Sequence, residues 1–283
     1  MKFGMNLLLW TDDPTQEALL PLIGRLAGMG YDGIELPIFD PQPEAYAKLG
    51  RRLDDLGLER TAVAIRTRDD DPLSPNAAIR RAALDRTRRV IDCCEASGCR
   101  LLGGPLYAAI GEFSGRGPTD EEWARSVEVL RQASDYAARV DVTLALEFLN
   151  RFEIYLLNTA ADTARFARDV GRANLGVHYD TFHAHIEEKD VGAALASCAA
   201  ELVHVHISEN DRGTPGQGQV NWGETFRALA RCGYDGWLTV EAFGQVLPGL
   251  AAATKIWRPL FHDAEELAAE ALDFMKREWA AVA

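Results

Sequence analysis

Four apolar runs in the second half of the chain each end in a side chain that can titrate: Val142-Thr-Leu-Ala-Leu-Glu147, Ala173-Asn-Leu-Gly-Val-His-Tyr-Asp180, Glu201-Leu-Val-His-Val-His206 and Gly236-Trp-Leu-Thr-Val-Glu241. Each run has the length and composition of a buried strand, and each precedes a loop and a helical pattern. In a barrel of parallel strands, the carboxyl ends of the strands build the active site. We therefore expect Glu147, Asp180, His206 and Glu241 to converge there.

The four side chains also form a coherent set of ligands for a metal ion. Two Glu, one Asp and one His offer oxygen and imidazole nitrogen and no thiolate. Such a set suits Mn²⁺, Mg²⁺ or Co²⁺ better than a thiolate-seeking metal. The sequence therefore predicts one divalent ion, and these ligands accept Mn²⁺, Co²⁺ and Mg²⁺ alike.

Hydrophobic periodicity predicts eight units of strand followed by helix along the whole chain. The predicted strands are Phe3–Leu9, Gly33–Pro37, Arg60–Ile65, Arg100–Gly104, Thr143–Glu147, Leu175–Tyr179, Leu202–Ile207 and Trp237–Glu241. The predicted helices are Pro14–Gly28, Glu44–Leu56, Pro75–Ser97, Asp120–Arg139, Ala160–Val170, Val191–Cys198, Trp222–Cys232 and Ala264–Ala280. Strict alternation of this kind is typical of an α/β protein with a parallel sheet. We predict a (β/α)8 TIM barrel.

An open, doubly wound sheet is the competing architecture. Its phosphate-binding glycine fingerprint should follow the first strand, where this chain has Leu9-Trp-Thr-Asp-Asp-Pro14 instead. The closed barrel fits better. Among its longest loops are those containing Leu106–Pro118 and Ser208–Val220, which we expect on the carboxyl side as walls over a substrate.

Composition limits the number of domains and the kinds of partner. The chain has 283 residues, a net charge of −13 and five cysteines without a paired CxxC spacing. Its length fits one barrel, so we predict a single domain over residues 1–283. The negative charge disfavours nucleic acid, and no segment is apolar enough to cross a membrane. The Met1–Trp10 segment reads as a first strand and not as a signal peptide, so we expect reduced cysteines and a cytoplasmic location.

Four motifs place the chain near a known group of enzymes. They are Glu147-Phe-Leu-Asn-Arg-Phe-Glu153, His178-Tyr-Asp-Thr-Phe-His-Ala-His185, His204-Val-His-Ile-Ser-Glu-Asn-Asp-Arg212 and Val240-Glu-Ala-Phe-Gly244. With these motifs the chain resembles the D-tagatose 3-epimerase and D-psicose (D-allulose) 3-epimerase family, whose barrels are related to xylose isomerase. The resemblance implies that Glu147, Asp180, His206 and Glu241 bind one divalent ion. It further implies that Glu153, His183 and Arg212 hold the O1 and O2 end of a keto-sugar.

The same residues make chemical sense for inversion at C3 of a ketose. The C3 proton is weakly acidic, so its removal requires stabilisation of the charge that develops on neighbouring oxygens. Inversion requires one base on each face of the sugar, and Glu147 and Glu241 could serve as that pair through a cis-enediolate. The sequence therefore predicts a metal-dependent ketose 3-epimerase acting on D-tagatose/D-sorbose, D-fructose/D-psicose or L-ribulose/L-xylulose.

Several assignments stay open at this level. His204 shares a strand face with His206, so spacing alone allows either as a ligand, and the flanking pattern selects His206. Phe243 is the aromatic residue that we favour as a pocket wall. Glu35 could contact the sugar or cap a turn. Trp10 and the Leu106–Pro118 loop could also reach the substrate.

Other functions compete with the epimerase. Hydroxypyruvate isomerase and inosose dehydratase or isomerase share the barrel and the metal. A nucleic-acid enzyme like those of the endonuclease IV group would need more metal ligands and a basic groove. A silent sugar-binding barrel would not need two bases. The resemblance also implies a homodimer or homotetramer.

Overall fold

The computed structural model describes residues 1–283 and contains a closed barrel of eight parallel strands, each bonded to its neighbours in chain order. The strands are β1 Lys2–Asn6, β2 Gly33–Pro37, β3 Glu59–Val63, β4 Leu101–Gly104, β5 Thr143–Glu147, β6 Leu175–Asp180, β7 Leu202–Ile207 and β8 Trp237–Val240. The barrel closes where β1 pairs with β8, with Lys2 opposite Trp237 and Met5 opposite Val240. The predicted TIM barrel is confirmed.

Ten helices surround the barrel. They are α1 Leu20–Met29, α2 Pro43–Asp55, α3 Ala77–Ser97, α4 Asp120–Ala137, α5 Ala160–Val170, α6 Thr181–Glu187, α7 Val191–Cys198, α8 Trp222–Arg231, α9 Pro248–Thr254 and α10 Ala264–Ala280. The predicted start of the first helix at Pro14 was wrong, because only a 3₁₀ turn at Glu17–Leu19 precedes α1. The short helices α6 and α9 were not predicted. Seven residues carry too few turns for a visible apolar period.

Local side-chain hydrogen bonds decide two of these boundaries. The first strand was predicted to run to Leu9, but Asn6 accepts a bond from the Leu8 backbone N–H at 2.8 Å and turns the chain into a 3₁₀ segment. Asp180 ends β6 and also begins α6, since its Oδ1 accepts bonds from the backbone N–H groups of Phe182 and His183 at 2.6 and 3.3 Å. Short polar side chains compete with the backbone ladder in this way.

Strand register brings the ends of β5 to β8 level with one another. Glu147 pairs with His178, Asp180 with His206, and His206 with Thr239. Successive side chains alternate between the two faces of a strand, so His178 shares the lumen face with Asp180, and His204 shares it with His206. The barrel lumen therefore holds a row of polar side chains below its carboxyl end.

The five cysteines are all free, as predicted. The helices pack an almost entirely apolar face against the barrel, with Leu26, Leu53, Ile91, Leu130 and Phe166 among the fully buried residues. No helix combines the length and the hydropathy that a membrane crossing requires.

Candidate active site and metal centre

The four strand-end groups converge as the sequence predicts. Ligand atoms of Glu147, Asp180, His206 and Glu241 all lie within 4.8 Å of one another, and all four residues are buried. The Nδ1 atom of His206 is 3.5 Å from Asp180 Oδ2, 3.5 Å from Glu241 Oε1 and 3.9 Å from Glu147 Oε1. One nitrogen and three carboxylates thus surround a single point.

Like charges at this point shift the ionisation of the carboxyl groups. Burial, reinforced by the negative charge of Glu241, raises the pKa of Glu147 well above its ordinary value. Burial also opposes ionisation of Asp180, but the guanidinium of Arg212 and the nearby imidazole of His206 outweigh it and hold the pKa of Asp180 well below its ordinary value. Three acidic groups in so small a volume require positive charge beside them.

The site suits a divalent cation. His206 Nδ1 is buried and has no hydrogen-bond partner, although buried polar atoms almost always have one. It faces three carboxylate groups, and oxygen with imidazole nitrogen is the donor set that Mn²⁺, Co²⁺ and Mg²⁺ accept. A cation among these four residues would give Nδ1 a partner and neutralise the carboxylates.

The guanidinium of Arg212 places a positive charge beside these carboxylates. Its Nη1 donates to Glu241 Oε2 at 2.7 Å, to Ser208 Oγ at 2.8 Å and to Asp180 Oδ2 at 3.1 Å. The guanidinium carbon lies 3.8 Å from the ring centroid of Phe182 and 4.9 Å from that of Phe243. Stacking between two rings holds the guanidinium plane in one orientation.

The loop that carries Arg212 is folded around one buried carboxylate. Glu209 Oε1 accepts from the backbone N–H groups of Asn210 and Val220, and its Oε2 accepts from the Gly216 N–H and the indole Nε1 of Trp222, at 2.9 to 3.0 Å. Arg212 has a left-handed φ of 66°, which is uncommon for a residue with a side chain. The Glu209 bonds fix the loop on both sides of this strained position.

His183 is held as a neutral imidazole with one defined tautomer. Its Nδ1 faces two donors, the backbone N–H and the side-chain Nδ2 of Asn150, each at 3.0 Å, so Nδ1 is the acceptor and Nε2 carries the proton. Burial and the charge of Arg212 lower the pKa of His183 to about 3. Nε2 lies 3.0 Å from Arg212 Nη2. The donor nitrogens of His183 and Arg212 therefore lie next to each other beside the strand-end carboxylates.

A cavity of about 460 Å³ opens over these groups. Glu147, Glu153, His183, Arg212 and Glu241 line one side of it. Its apolar lining residues include Leu8, Phe39, Val63, Ile110 and Leu250, and the exposed rim carries an ion pair between Arg68 and Glu112, with Nη2 and Oε2 2.9 Å apart. The five titratable residues named first form the polar wall of the cavity, and apolar residues make up much of the remaining lining.

All the predicted site residues lie at this cavity or directly beneath it. Glu153 is partly buried, and its Oε1 accepts from Asn150 Nδ2 at 2.7 Å. Phe243 lines the cavity, as expected for a wall, and also packs on Arg212. His185 is exposed. From the Leu106–Pro118 loop, Ile110 and Glu112 reach the cavity, whereas Trp10 does not line it.

The fourth strand, β4, lines the cavity with a glycine, so it places no side chain there. Gly104 lines it with a φ of 115°, and a Cβ atom there would collide with the carbonyl oxygen of Ala64. Only glycine adopts this backbone readily. The Gly103-Gly-Pro105 bend that the sequence indicated therefore leaves the cavity open on that side.

Sequence reasoning missed the layer beneath the four groups. Glu35 is fully buried and lies within hydrogen-bond distance of both His204 and His206, so it neither caps a turn nor reaches the cavity. Asn6 and Thr61 complete its surroundings. The available signal was alternation, which puts Glu35, His204 and His206 on the lumen face of their strands.

Comparison with known proteins agrees with this architecture. Residues 23–278 match the family model described as "Xylose isomerase-like TIM barrel". The chain is 31% identical over 281 residues to the L-ribulose 3-epimerase of Methylomonas sp. (strain DH-1), covering 99% of this chain and 98% of that protein. It is 31% identical over 284 residues to the ketose 3-epimerase of Arthrobacter globiformis, covering 100% and 98%.

A solved structure matches just as fully. The crystal structure of D-allulose 3-epimerase from Methylomonas sp. in complex with D-allulose superimposes with a TM-score of 0.91 at 31% identity, covering 98% of this chain and 97% of that one. The similarity runs through the whole barrel and its loops.

Proposed function

The chain belongs to the ketose 3-epimerases of the xylose isomerase-like TIM-barrel family, and on this premise we propose that it interconverts the C3 epimers of free keto-sugars. It is therefore an isomerase. The candidate pairs are D-tagatose and D-sorbose, D-fructose and D-psicose, and L-ribulose and L-xylulose. The observation that carries the proposal is the pair of carboxylates, Glu147 and Glu241, in the cluster that suits a cation, beside the donor nitrogens of His183 and Arg212.

Glu147 and Glu241 are the proposed bases. Glu147 ends β5 and Glu241 directly follows β8, so their carboxylates reach the centre from different sides of the barrel. One takes the C3 proton from one face of the sugar, which leaves a cis-enediolate, and the other returns a proton to the opposite face. The reverse reaction exchanges the two roles. Proton transfer by a positioned carboxylate contributes about 10²–10⁴-fold to such a step.

The polar wall is proposed to hold the O1 and O2 end of the sugar. His183 Nε2 and Arg212 Nη2 lie 3.0 Å apart and both residues line the cavity, so the two nitrogens can donate to oxygens at one end of the sugar. The partly buried carboxylate of Glu153, which accepts from Asn150, can accept from a sugar hydroxyl as well. Arg212 keeps its positive charge, and its rigid stacked plane can stabilise negative charge on the enediolate oxygens.

A divalent ion completes the proposed site. Glu147, Asp180, His206 and Glu241 would hold it, with Mn²⁺ preferred and Co²⁺ or Mg²⁺ as alternatives. Such an ion supplies Lewis acidity that stabilises negative charge on the substrate's oxygens. Asp180 and His206 would hold the ion without moving protons in this scheme.

Isotope exchange tests the proposal directly. EDTA-stripped protein is incubated in D₂O with D-fructose, D-tagatose or L-ribulose, with and without Mn²⁺, and NMR follows the label and the product. We expect metal-dependent deuterium at C3 together with the epimeric ketose. Label at C1 with formation of an aldose would instead indicate an aldose–ketose isomerase. Absence of exchange with all three would refute the proposal and direct attention to hydroxypyruvate or inosose.

A homodimer or homotetramer in the cytoplasm also remains a prediction. Phe152, Val246 and Trp257 are 75%, 67% and 70% exposed on loops at the carboxyl end of the barrel. Large exposed apolar side chains are typical of contact surfaces between chains. Light scattering after size exclusion would give the number of chains, and a monomer at micromolar concentration would contradict the oligomer.

A further inference from the structure

The carboxylate of Glu35 in β2 lies beneath those of Glu147, Asp180 and Glu241 and has no part in the proposed proton transfers. It is fully buried. Its Oε1 is 2.6 Å from His206 Nε2 and accepts from Asn6 Nδ2 at 2.9 Å. Its Oε2 is 2.8 Å from His204 Nε2 and accepts from Thr61 Oγ1 at 2.8 Å. Each oxygen therefore has two partners.

The hydrogen bonds around Glu35 determine which imidazole nitrogens carry protons. Its Oε1 accepts from Asn6 and its Oε2 accepts from Thr61, and each oxygen also faces one imidazole Nε2. An ionised carboxylate only accepts hydrogen bonds, so His204 and His206 both present Nε2–H to it. In a neutral His206 the lone pair is then on Nδ1, the atom that faces Glu147, Asp180 and Glu241.

The surrounding layer keeps the ring of His206 from turning. The ring of His178 packs edge-on against that of His206 at a centroid distance of 4.0 Å, and against that of His204 at 4.6 Å. Both nitrogens of His178 are buried without a partner. Asn6 extends the network upward, because its Nδ2 also lies 3.4 Å from Glu241 Oε1. Glu35 is thus connected to two of the four groups at the centre.

We propose that Glu35 is a positioning residue for the cation site. By accepting from His206 Nε2–H it fixes the tautomer that directs Nδ1 at the ion, and through Asn6 it holds the Glu241 carboxylate. This inference rests on the proposed function only in taking the four strand-end groups as the ligands of a divalent ion. Partners of this kind orient a metal-binding imidazole and raise its basicity.

The variant Glu35→Gln tests whether Glu35 acts by accepting hydrogen bonds or only by filling space in the lumen. Glutamine has almost the same shape but offers one acceptor and one donor, so its NH₂ group must face the N–H of either His204 or His206. One imidazole then has to change tautomer or turn, and its contact is lost. We expect the Kd for Mn²⁺ to rise by about 10- to 100-fold.

The matched control is Thr239→Val. Thr239 is equally buried in the lumen, and its hydroxyl has no hydrogen-bond partner, so valine preserves the shape and removes no bond. EDTA-stripped wild type and both variants are titrated with Mn²⁺ in the absence of sugar, and electron paramagnetic resonance reports the free ion. Weaker binding in Glu35→Gln alone, with kcat recovering at saturating Mn²⁺, supports the proposal. An unchanged Kd in Glu35→Gln overturns it.

A second measurement applies if Glu35→Gln does not fold. Histidine-selective ¹⁵N NMR of the wild type saturated with diamagnetic Mg²⁺ reports the proton position on each imidazole. Protons on Nε2 of both His204 and His206 support the proposal, and a proton on Nδ1 of His206 overturns it. A wild type that binds Mn²⁺ but epimerises no ketose would refute the proposed function alone.

Discussion

The two halves of this barrel have the same strand and helix architecture, but they carry different side chains at the carboxyl end of the barrel. Strands β5 to β8 end in Glu147, Asp180 and His206, with Glu241 directly after β8. On the β1 to β4 side, apolar residues such as Leu8, Val63 and Ile110 face the cavity. Glu35 is the one carboxylate that this half places in the lumen, and it lies below the cavity, against His206. In the proposed reaction, one half supplies the proton-transfer groups and the other shapes the space for the substrate.

The strongest test of this division removes the proposed bases. Glu147→Gln or Glu241→Gln keeps the size of the side chain and removes its ability to take a proton, so we expect kcat to fall by about 10³-fold in both directions. Steady-state assays with each epimer measure this. His185→Ala is the control, because His185 is exposed and outside the cavity. Equal loss in all three variants would contradict the two-base assignment.

A smaller effect is expected from Arg212→Lys, which keeps the charge of the catalytic half but not its geometry. Lysine cannot stack between Phe182 and Phe243 or donate through a planar fork. We expect kcat/KM to fall by about 10²-fold. Wild-type kcat/KM in this variant would show that charge alone is sufficient at this position.

The apolar half should respond in selectivity and not in chemistry. Ile110→Val removes one methylene group from the cavity wall, so we expect the ratio of kcat/KM for D-fructose over L-ribulose to change by at most about 10-fold. Deuterium exchange at C3 should continue. A loss of exchange as severe as that of Glu241→Gln would show that the two halves are not separable.

The smallest effect is expected at the rim. Arg68→Ala breaks the exposed pair with Glu112, in which Arg68 is 78% exposed. Exposed ion pairs contribute about 0–1 kcal/mol to the free energy of unfolding. Urea denaturation should therefore show a free energy of unfolding that is lower by less than about 1 kcal/mol. The kcat should remain near the wild-type value. A large loss of kcat would place Arg68 in the substrate site.

The sequence could predict the catalytic half because its groups mark strand ends. Glu147, Asp180 and Glu241 each follow an apolar run, and the barrel rule alone brings such positions together. Glu35 could not be placed in the same way. Its partner His206 is 171 positions away and lies across the lumen, and no local pattern encodes which side chains meet there.

Most of the apolar cavity lining and the short helices could not be predicted from the sequence in this way. Ile110 reaches the cavity from a loop and Leu250 from the short helix α9, and tertiary packing rather than periodicity sets their positions. Asp180 caps the N-terminus of helix α6, and the sequence had already assigned this residue to a strand end and a metal site. Because Asp180 is at once a strand end, a helix cap and a candidate metal ligand, the sequence pattern around it did not reveal the helix separately.

The glycine pair at the end of β4 limits how this enzyme could diversify. A side chain at position 104 is opposed both by its backbone angle and by the carbonyl oxygen of Ala64. Natural variation or directed evolution therefore cannot narrow the cavity from that strand end by a single substitution. New ketose preferences would have to arise in the adjoining loops, where changes leave the proton-transfer groups intact.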